Sequence, residues 1–499
     1  MTGVSARAVA FAMVVAGAVW FAVALGSIEP RLGETALVTL ALIVLVHLTL
    51  TVDSAWLISA GLLSTMFAGN WDQLGLNSSV GPHRVLLAAA VLAVLLRAPP
   101  ARDRPPLRLD GVHFALAAAL AYAAVSAILA GTIDERNAQF VLLDQYGLLP
   151  FVIFLIAPVA FATERQRMIL LGSLVATGAY LSVTAVLEKL KLYDLVLPRY
   201  IADPFVGQHF GRARGPFVEA AADGLALYTC AVAAATALVL WRRPWPRAAA
   251  LAVLVLAPVG LLLTVTRGAW VAGVVATLVT LITTPRLRRL MIPLTAAGAI
   301  GILASFTLIP GLAGDVDRRQ KDKAPIYERQ NTNAAGLRMV ADRPFLGFGW
   351  DRANANMEEY FRLDRDIPLT GAVAGLHNIY LQYAVGLGLV GLAIWLLAVG
   401  LAFGRAVAAR GPPRVMPWAV GLTAIVVAWL VVGVFSPAHY PFTTFLVWAW
   451  AGVAYAGRDT AGDAVGDSSP SNGRGASEVP RPYAARVSGQ VPGGATTWR

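Results

Sequence analysis

The feature that most restricts the fold of this chain is a succession of apolar runs, many long enough to cross a lipid bilayer. A transmembrane helix needs about 20 apolar residues, or somewhat fewer at the short end. Candidate spans lie at about 9–26, 36–52, 55–69, 84–97, 113–131, 139–162, 168–187, 219–240, 248–265, 267–284, 290–310, 377–402, 416–435 and 440–456. The pattern therefore predicts an all-α, polytopic transmembrane helical bundle with about 12–14 spans.

Composition supports a membrane protein and excludes several other classes. Mean hydropathy is +0.65, with 57% hydrophobic and 14% charged residues, well outside the range of soluble globular proteins. The single cysteine, Cys230, excludes a disulfide framework and a cysteine-based metal site, and is expected to be a small packed side chain. The net charge of +11 is carried largely by arginines at the ends of apolar runs, so no nucleic-acid partner is predicted.

Arg267 is the one charged residue in the run from 248 to 284. As a single helix this run would be roughly 55 Å long, against a hydrocarbon core of about 30 Å. The chain must therefore fold back, and 266–268 is the natural corner. An arginine at such a corner, beside a new helix N-terminus, offers a planar fork and free backbone N–H groups suited to phosphate. The alternative is an interfacial arginine that reaches lipid phosphates.

The distribution of arginine predicts the orientation of the chain. With a cytoplasmic N-terminus, the arginine-rich connections at 97–110, 163–168, 241–247, 285–290 and 405–414 all fall on the cytoplasmic side. Both termini are then cytoplasmic, and the long polar loops near 189–215 and 311–375 face outward. The predicted organisation is eleven spans in 1–310, an external loop with short helices at 311–375, three spans in 376–456, and a disordered cytoplasmic tail at 457–499.

Further candidate residues lie at the predicted outer face. Arg212 and Arg214 precede a helix that begins near Glu219, where they could bind phosphate or form an ordinary solvated pair. His377 opens an apolar helix beside Asn378, and a helix N-terminus favours neutral imidazole, the form that a general base requires. The alternative for His377 is a polar cap. The six histidines show no metal-ligand spacing, so no metal site is predicted.

Three further patterns are interpreted as structural. Gly386-x-Gly388-x-x-Gly391 lies inside a predicted membrane helix with no preceding strand, so it is read as helix-packing glycine rather than a nucleotide site. Asp315-Val316-Asp317 lies among compensating basic residues, as does the acidic pair at 364–366. Both acidic patterns are therefore interpreted as solvated charge runs.

The chain resembles the O-antigen ligase and polysaccharide polymerase superfamily of bacterial inner membranes. The resemblance rests on 266–270 (TRGAW), 341–350 (ADRPFLGFGW), 375–378 (GLHN) with Tyr380 and Gly386 following, and 214–217 (RGPF). The order of these motifs and the single large late loop match over most of the chain. The sequence departs from the family after Phe217, where Glu219-Ala220 replaces an Asn-containing turn.

The resemblance implies a GT-C-like bundle that transfers a glycan from an undecaprenyl-diphosphate carrier to a glycan, lipid or protein hydroxyl. The reaction would occur at the outer face of the bacterial cytoplasmic membrane and would need no cofactor or metal. Arg267 and His377 would be catalytic, with Arg267, Arg214 and Arg212 binding the diphosphate. The supporting candidates are Glu219, Asn378, Asp342 and Tyr380.

Two other functions remain as alternatives. A transporter of a lipid-linked or anionic solute would use Arg267 as a substrate site, although no internal repeat is evident in the sequence. A metal-dependent sugar transferase of the dolichol-phosphate type would use the acids of the large loop, and chelation would abolish its activity. The ligase hypothesis predicts instead that Arg267, Arg214 and His377 converge on one outward-facing cavity.

Overall fold

The computed structural model describes residues 30–76, 81–96, 109–362, 368–369, 375–408, 416–436 and 440–456. The predicted span near 9–26, the acidic pair near 364–366 and the predicted tail at 457–499 lie outside these residues. Over the described part of the chain, the regular structure is helical and contains no strand.

The helices are numbered here in chain order. They are α1 Pro30–Thr51, α2 Ser54–Ser64, α3 Pro82–Leu96, α4 Gly111–Leu129, α5 Arg136–Ala160, α6 Glu164–Lys189, α7 Ala220–Leu240, α8 Pro244–Leu263, α9 Arg267–Thr283, α10 Met291–Leu308, α11 Leu312–Lys321, α12 Ala324–Asp342, α13 Ala353–Met357, α14 Ile379–Val407, α15 Met416–Phe435 and α16 Pro441–Ala456.

Eight of these helices, α4 to α8, α10, α14 and α15, are long and apolar enough to cross a membrane. Shorter apolar helices lie in α1, α2, α3 and α9. The all-α, polytopic bundle predicted from the apolar runs is therefore confirmed. The chain is a multi-pass membrane protein.

Burial differs sharply between two of the apolar helices. Every residue of α16 from Phe442 to Ala454 is buried, and α16 packs against α5, α15 and α14. In α10, by contrast, Ser305 alone is buried. A helix that is hydrophobic all round suits either a protein core or lipid. Thus α16 occupies the centre of the bundle, and α10 has the exposed apolar surface expected of a lipid-facing helix.

The apolar run from 248 to 284 folds back at the predicted corner. Helix α8 ends at Leu263 and α9 begins at Arg267, so the turn consists of residues 264–266. Small residues allow close packing below the corner: a Cβ on Gly224 of α7 would lie 3.0 Å from the Ala269 side chain. The corner is therefore fixed to α7, and Arg267 is held at the end of α9.

Helix α14 is interrupted at Gly388, whose φ of 70° and ψ of 178° are not helical. The interpretation of this glycine as helix packing is wrong, whereas Gly391 does pack closely, because its Cβ would meet the Tyr122 ring at 2.6 Å. The backbone groups freed at the break bond to the segment at 344–349: Phe348 N–H donates to the Val385 carbonyl, and Leu389 N–H to the Pro344 carbonyl. Backbone N–H and C=O groups that are freed where a membrane helix breaks need other hydrogen-bond partners of this kind.

The polar segment between α10 and α14 forms short helices over one end of the bundle. Helix α12 ends at Asp342, two residues before Pro344, which cannot continue a helix. Its buried Ala335 and Met339 join Leu376 and Val385 in a small core of their own. Asp317 pairs with exposed Lys321, as expected of a solvated charge run. Asp315 pairs with Arg318 but also with Lys189, so it joins α11 to the end of α6.

An ion pair that the sequence analysis did not identify links α3 to α5. A π-helical turn at Val141–Tyr146 carries Asp144, whose Oδ2 lies 2.5 Å from Nη2 of Arg84. The Asp144 side chain is 8% exposed. Charged side chains within apolar segments are expensive and are found paired. The pair thus joins two apolar helices that sequence reasoning treated as plain spans.

Candidate functional site

Three apolar helices begin at one cavity of about 330 Å³. Glu219 caps α7, Thr266 precedes α9, and Asn378 caps α14 by accepting hydrogen bonds from Tyr380 N–H and Leu381 N–H. Each helix N-terminus carries a partial positive charge. The cavity therefore lies where three such ends point toward the same space.

The cavity wall also includes the polar segment above the bundle. Helices α11 and α12 supply Arg319, Pro325, Glu328 and Arg329, and the corner between α15 and α16 supplies Ser436 and Tyr440. The ionisable side chains at the wall are Arg212, Arg267, Arg319, Arg329, Glu219, Glu328, His209, His377 and Tyr440. This arrangement joins groups from both predicted external loops to the ends of membrane helices.

Backbone strain is concentrated next to this cavity. Val218, immediately before Glu219, has φ 46°, and Val265, just before Thr266 and Arg267, has φ 47°. A β-branched residue with positive φ is a genuine outlier. His209 at the cavity wall also has φ 60°. Strained backbone persists where the surrounding structure over-determines it, and it clusters at functional sites.

The four arginines outnumber the two glutamates at the cavity wall. Burial, followed by the nearby Arg319 charge, lowers the pKa of the Arg212 guanidinium, and burial with Arg319 and Arg267 lowers that of Arg329. Among the described residues, the Arg267 side chain makes no hydrogen bond or ion pair. Guanidinium groups that repel one another in a partly buried space are stabilised by a polyanion, and phosphate matches their planar forks.

Two histidine–glutamate pairs lie at the same cavity. Nε2 of His377 is 3.9 Å from Oε1 of Glu328, and Nδ1 of His209 is 3.6 Å from Oε2 of Glu219. Burial opposes ionisation of Glu219, but hydrogen bonding and charge from His209 prevail and hold the pKa of its carboxyl below the ordinary value. The Nδ1 atom of His377 is buried and has no hydrogen-bond partner among the residues that the structure describes. Its Nε2 atom is therefore the nitrogen that faces Glu328 and the cavity.

The structure brings Arg267, Arg212, Glu219 and His377 together, but it does not bring Arg214 to the cavity. Arg214 is fully buried, and its guanidinium donates to the backbone carbonyls of Ile201, Asp203 and Val206. A fork already engaged by loop carbonyls has no free face for diphosphate. The assignment of Arg214 to diphosphate binding is thus corrected: this arginine fixes the loop, and Arg212 faces the cavity.

The remaining supporting candidates make contacts that stabilise the fold. Asn378 is the cap of α14, the Tyr380 hydroxyl donates to the Leu430 carbonyl, and exposed Asp342 accepts from the Tyr360 hydroxyl. None of the three lines the cavity. Their places in the sequence motifs are explained by helix starts and loop docking.

Sequence reasoning missed Arg319, Glu328 and Arg329, which reach the cavity from α11 and α12. It also considered His209 only as one of six histidines without metal-ligand spacing. The charges of the large loop are balanced and carry no local sign of which ones face inward. Helical periodicity places Pro325, Glu328 and Arg329 on one face of α12. That shared face is the only sequence signal that could have suggested which charges line the cavity.

The two neighbouring arginines should respond differently to substitution. Arg214→Lys should lower the free energy of unfolding by roughly 2 to 4 kcal/mol, because several buried carbonyls lose their donors. Arg212→Lys should change it by less than about 1 kcal/mol but should weaken binding of a polyprenyl diphosphate. Thermal unfolding and ligand binding of the purified variants in detergent would measure both effects. Equal losses of stability in the two variants would contradict the assignment.

Comparison with known families agrees with this geometry. Residues 250–396 match a family model described as O-antigen ligase. This segment belongs to the O-antigen ligase superfamily. The O-antigen ligase domain contains Arg267, Glu328 and His377, whereas Arg212 and Glu219 precede it. A comparison with curated proteins found no match for the chain.

The O-antigen ligase domain supports a general class of activity for this membrane protein. Members of this class ligate or transfer glycans, so a glycosyltransferase-like enzyme that takes glycan and lipid-linked substrates is supported. The cavity at the helix N-termini is the part of the domain that combines cationic groups with a histidine.

Proposed function

We propose that the protein transfers a glycan from an undecaprenyl-diphosphate carrier to an acceptor hydroxyl at the outer face of the bacterial cytoplasmic membrane. The observation that carries the proposal is the convergence of Arg267, Arg212 and His377 on one cavity, although they are far apart in sequence. Arginine forks suit a diphosphate, and a histidine beside them suits proton transfer.

The reaction follows from the charges at the site. The acceptor oxygen bonds to the anomeric carbon of the donor while the bond from that carbon to the phosphate oxygen breaks. The hydroxyl proton passes to Nε2 of His377, and the electron pair leaves with the diphosphate. Arg267 and Arg212 stabilise the negative charge that grows on this leaving group, assisted by Arg319 and Arg329. The helices α11 and α12 cover the cavity and limit hydrolysis of the donor by water.

The proposed location follows from the arginine distribution. The connections at 163–168, 241–247 and 285–290, and Arg405 in the last turn of α14, lie at helix ends other than those that open on the cavity. Positive residues favour the cytoplasmic side. On this basis the cavity faces outward, and both termini are cytoplasmic.

Arg267→Lys should reduce transfer nearly as much as Arg267→Ala, because a point charge cannot replace a planar fork. We expect roughly a 10- to 1,000-fold loss in kcat/KM. Transfer of radiolabelled glycan by purified full-length protein, with lipid-linked donor extracted from cells that lack the protein, would measure it. Arg286→Lys is the matched control, since Arg286 is exposed beyond the far end of α9. Full activity with lysine at 267 would argue for simple charge.

The sizes of cellular glycans would separate ligation from polymerisation. In cells that lack the protein, single lipid-linked repeats should accumulate if it is a polymerase. Long lipid-linked chains should accumulate if it is a ligase. Unchanged lipid-linked and surface glycans, measured by gel electrophoresis and mass spectrometry, would contradict the proposed function.

A further inference from the structure

The loop that follows α6 folds back along this helix. The Tyr180 hydroxyl donates to the Leu197 carbonyl at 2.8 Å, although Tyr180 lies nine residues before the end of α6 at Lys189. Nine helical residues rise about 14 Å, which is more than a tyrosine side chain and one hydrogen bond together can span. The Leu197 carbonyl therefore lies nearer the middle of the membrane than the last turn of α6 does.

Tyr180 itself lies within the apolar part of α6, which is long and apolar enough to cross a membrane. The charged residues at the start of α6 end at Arg167, and the stretch that begins at Met168 is uncharged well beyond Tyr180. Tyr180 is about 18 Å from Met168 along the helix axis, inside a hydrocarbon core of about 30 Å. Val183, one turn farther on, is exposed and has no polar group that needs water. Leu197 thus reaches the depth of the lipid leaflet on the side of the cavity.

The exposed side chains of this segment suit lipid better than water. In the described part of the chain, Leu195 is 63% exposed and Leu197 is 60% exposed, and Leu190 and Leu192 are exposed as well. Exposed apolar side chains that are grouped together mark an interaction surface. The exposed basic residues are Lys191 and Arg199, which lie within and just after the group. Long basic side chains at such positions keep their stems in apolar surroundings and reach lipid phosphates.

The segment is fixed to the protein on its other side. Val196, between the two most exposed leucines, is fully buried in a cluster that includes Tyr200 and Val218. The Tyr200 hydroxyl donates to the Pro216 carbonyl at 2.7 Å. Val218 immediately precedes Glu219 at the cavity wall. The same segment therefore presents leucines outward and packs inward against the turn that leads to the cavity.

We propose that residues 190–197 form a re-entrant anchor, in which Leu195 and Leu197 insert among the acyl chains of the phospholipid leaflet on the side of the cavity. The anchor ties the loop before Glu219 to the membrane surface, because Val196 and Tyr200 join the two. It thereby sets the depth of this cavity wall relative to the lipid. The inference does not depend on the reaction that occurs in the cavity.

Site-specific labelling can test the depth of the anchor. The single cysteine, Cys230, is fully buried, so a bimane label should react with a cysteine introduced at the surface, and wild type measures the background. Full-length Leu195→Cys and Leu197→Cys would be labelled and reconstituted into vesicles of phosphatidylethanolamine and phosphatidylglycerol. Quenching would be measured with lipid brominated on its acyl chains and, separately, with iodide in the water. Both positions are exposed, so these substitutions should leave the fold intact.

Two positions supply matched controls. Leu337 on the polar helix α12 is 63% exposed, as is Leu195, and Val255 on the apolar helix α8 is 60% exposed. Labels at 195 and 197 should lose roughly half or more of their emission to bromine near the headgroup end of the chain, since an interfacial segment reaches about 5–10 Å into the lipid. They should resist iodide, as a label at 255 does. A label at 337 should respond to iodide instead.

Two results would overturn the inference. Quenching of the 195 and 197 labels by iodide but not by brominated lipid would place the segment in water. Quenching by neither would mean that another part of the chain or a second copy covers the leucines. Glycan transfer enters neither readout, so a failure of the proposed function would leave the anchor standing, and the reverse also holds.

Discussion

Replacement of His377 by alanine should lower glycan transfer roughly 100- to 10,000-fold while leaving the protein folded and able to bind donor. The imidazole Nε2 faces the cavity beside Glu328. In the proposed reaction it accepts the acceptor proton and becomes a cation next to a carboxylate. The loss of this group removes the proton acceptor but none of the arginines. The effect should therefore appear mainly in kcat.

The fold should tolerate this change because the start of α14 does not depend on the imidazole. Asn378 Oδ1 accepts from Tyr380 N–H at 3.0 Å and from Leu381 N–H at 3.2 Å, so the cap remains. His377→Gln is the sharper variant, since an amide keeps hydrogen bonding without accepting a proton. His47→Ala, on α1 and outside the cavity, is the control. Near-normal transfer by either His377 variant would remove this histidine from the mechanism.

Substitution of Gly388 by alanine should abolish accumulation of folded protein. Its φ of 70° and ψ of 178° lie in a region open essentially to glycine alone. An added Cβ would lie 2.0 Å from the Phe345 carbonyl oxygen and 2.6 Å from Leu346 N. These neighbours are backbone atoms, so no rotamer change can relieve the clash. We expect a loss of more than about 4 kcal/mol in the free energy of unfolding.

The same helix offers a matched control. A Cβ on Gly400 would meet nothing within 4 Å, and this glycine has helical geometry. Gly400→Ala should therefore leave stability unchanged or raise it by up to about 1 kcal/mol. Membrane yield and the thermal unfolding midpoint in detergent would measure both variants. A Gly388→Ala protein as stable as Gly400→Ala would contradict the role of the break.

The position of Arg267 could be predicted because it follows from length alone. An apolar run longer than the bilayer is thick must reverse direction. The turn is expected at the single charge, because a charged side chain costs less free energy at the membrane surface than inside the membrane. The position of His377 followed in the same way from the change between a polar segment and an apolar one. Both residues were predicted at the cavity, and both line it. Their catalytic roles remain proposals.

The sequence could not predict which of Arg212 and Arg214 faces the cavity. They are two residues apart, share the same local composition, and carried the same prediction. Arg212 faces the cavity, whereas Arg214 is buried against carbonyls of residues 201–208. Backbone geometry decides between them, because the chain between His209 and Gly215 turns through positive-φ positions that set the direction of each side chain.

The sequence by itself determined the membrane bundle, the reversal at 264–266 and the residues that begin α9 and α14, because hydrophobic length is a local property that adds along the chain. Only the tertiary structure decided that Arg319, Glu328 and Arg329 join Arg267 and His377, and that Arg214 does not. It also showed that Gly388 breaks a helix rather than packing one. Such facts depend on which distant segments meet, and local composition does not encode that meeting.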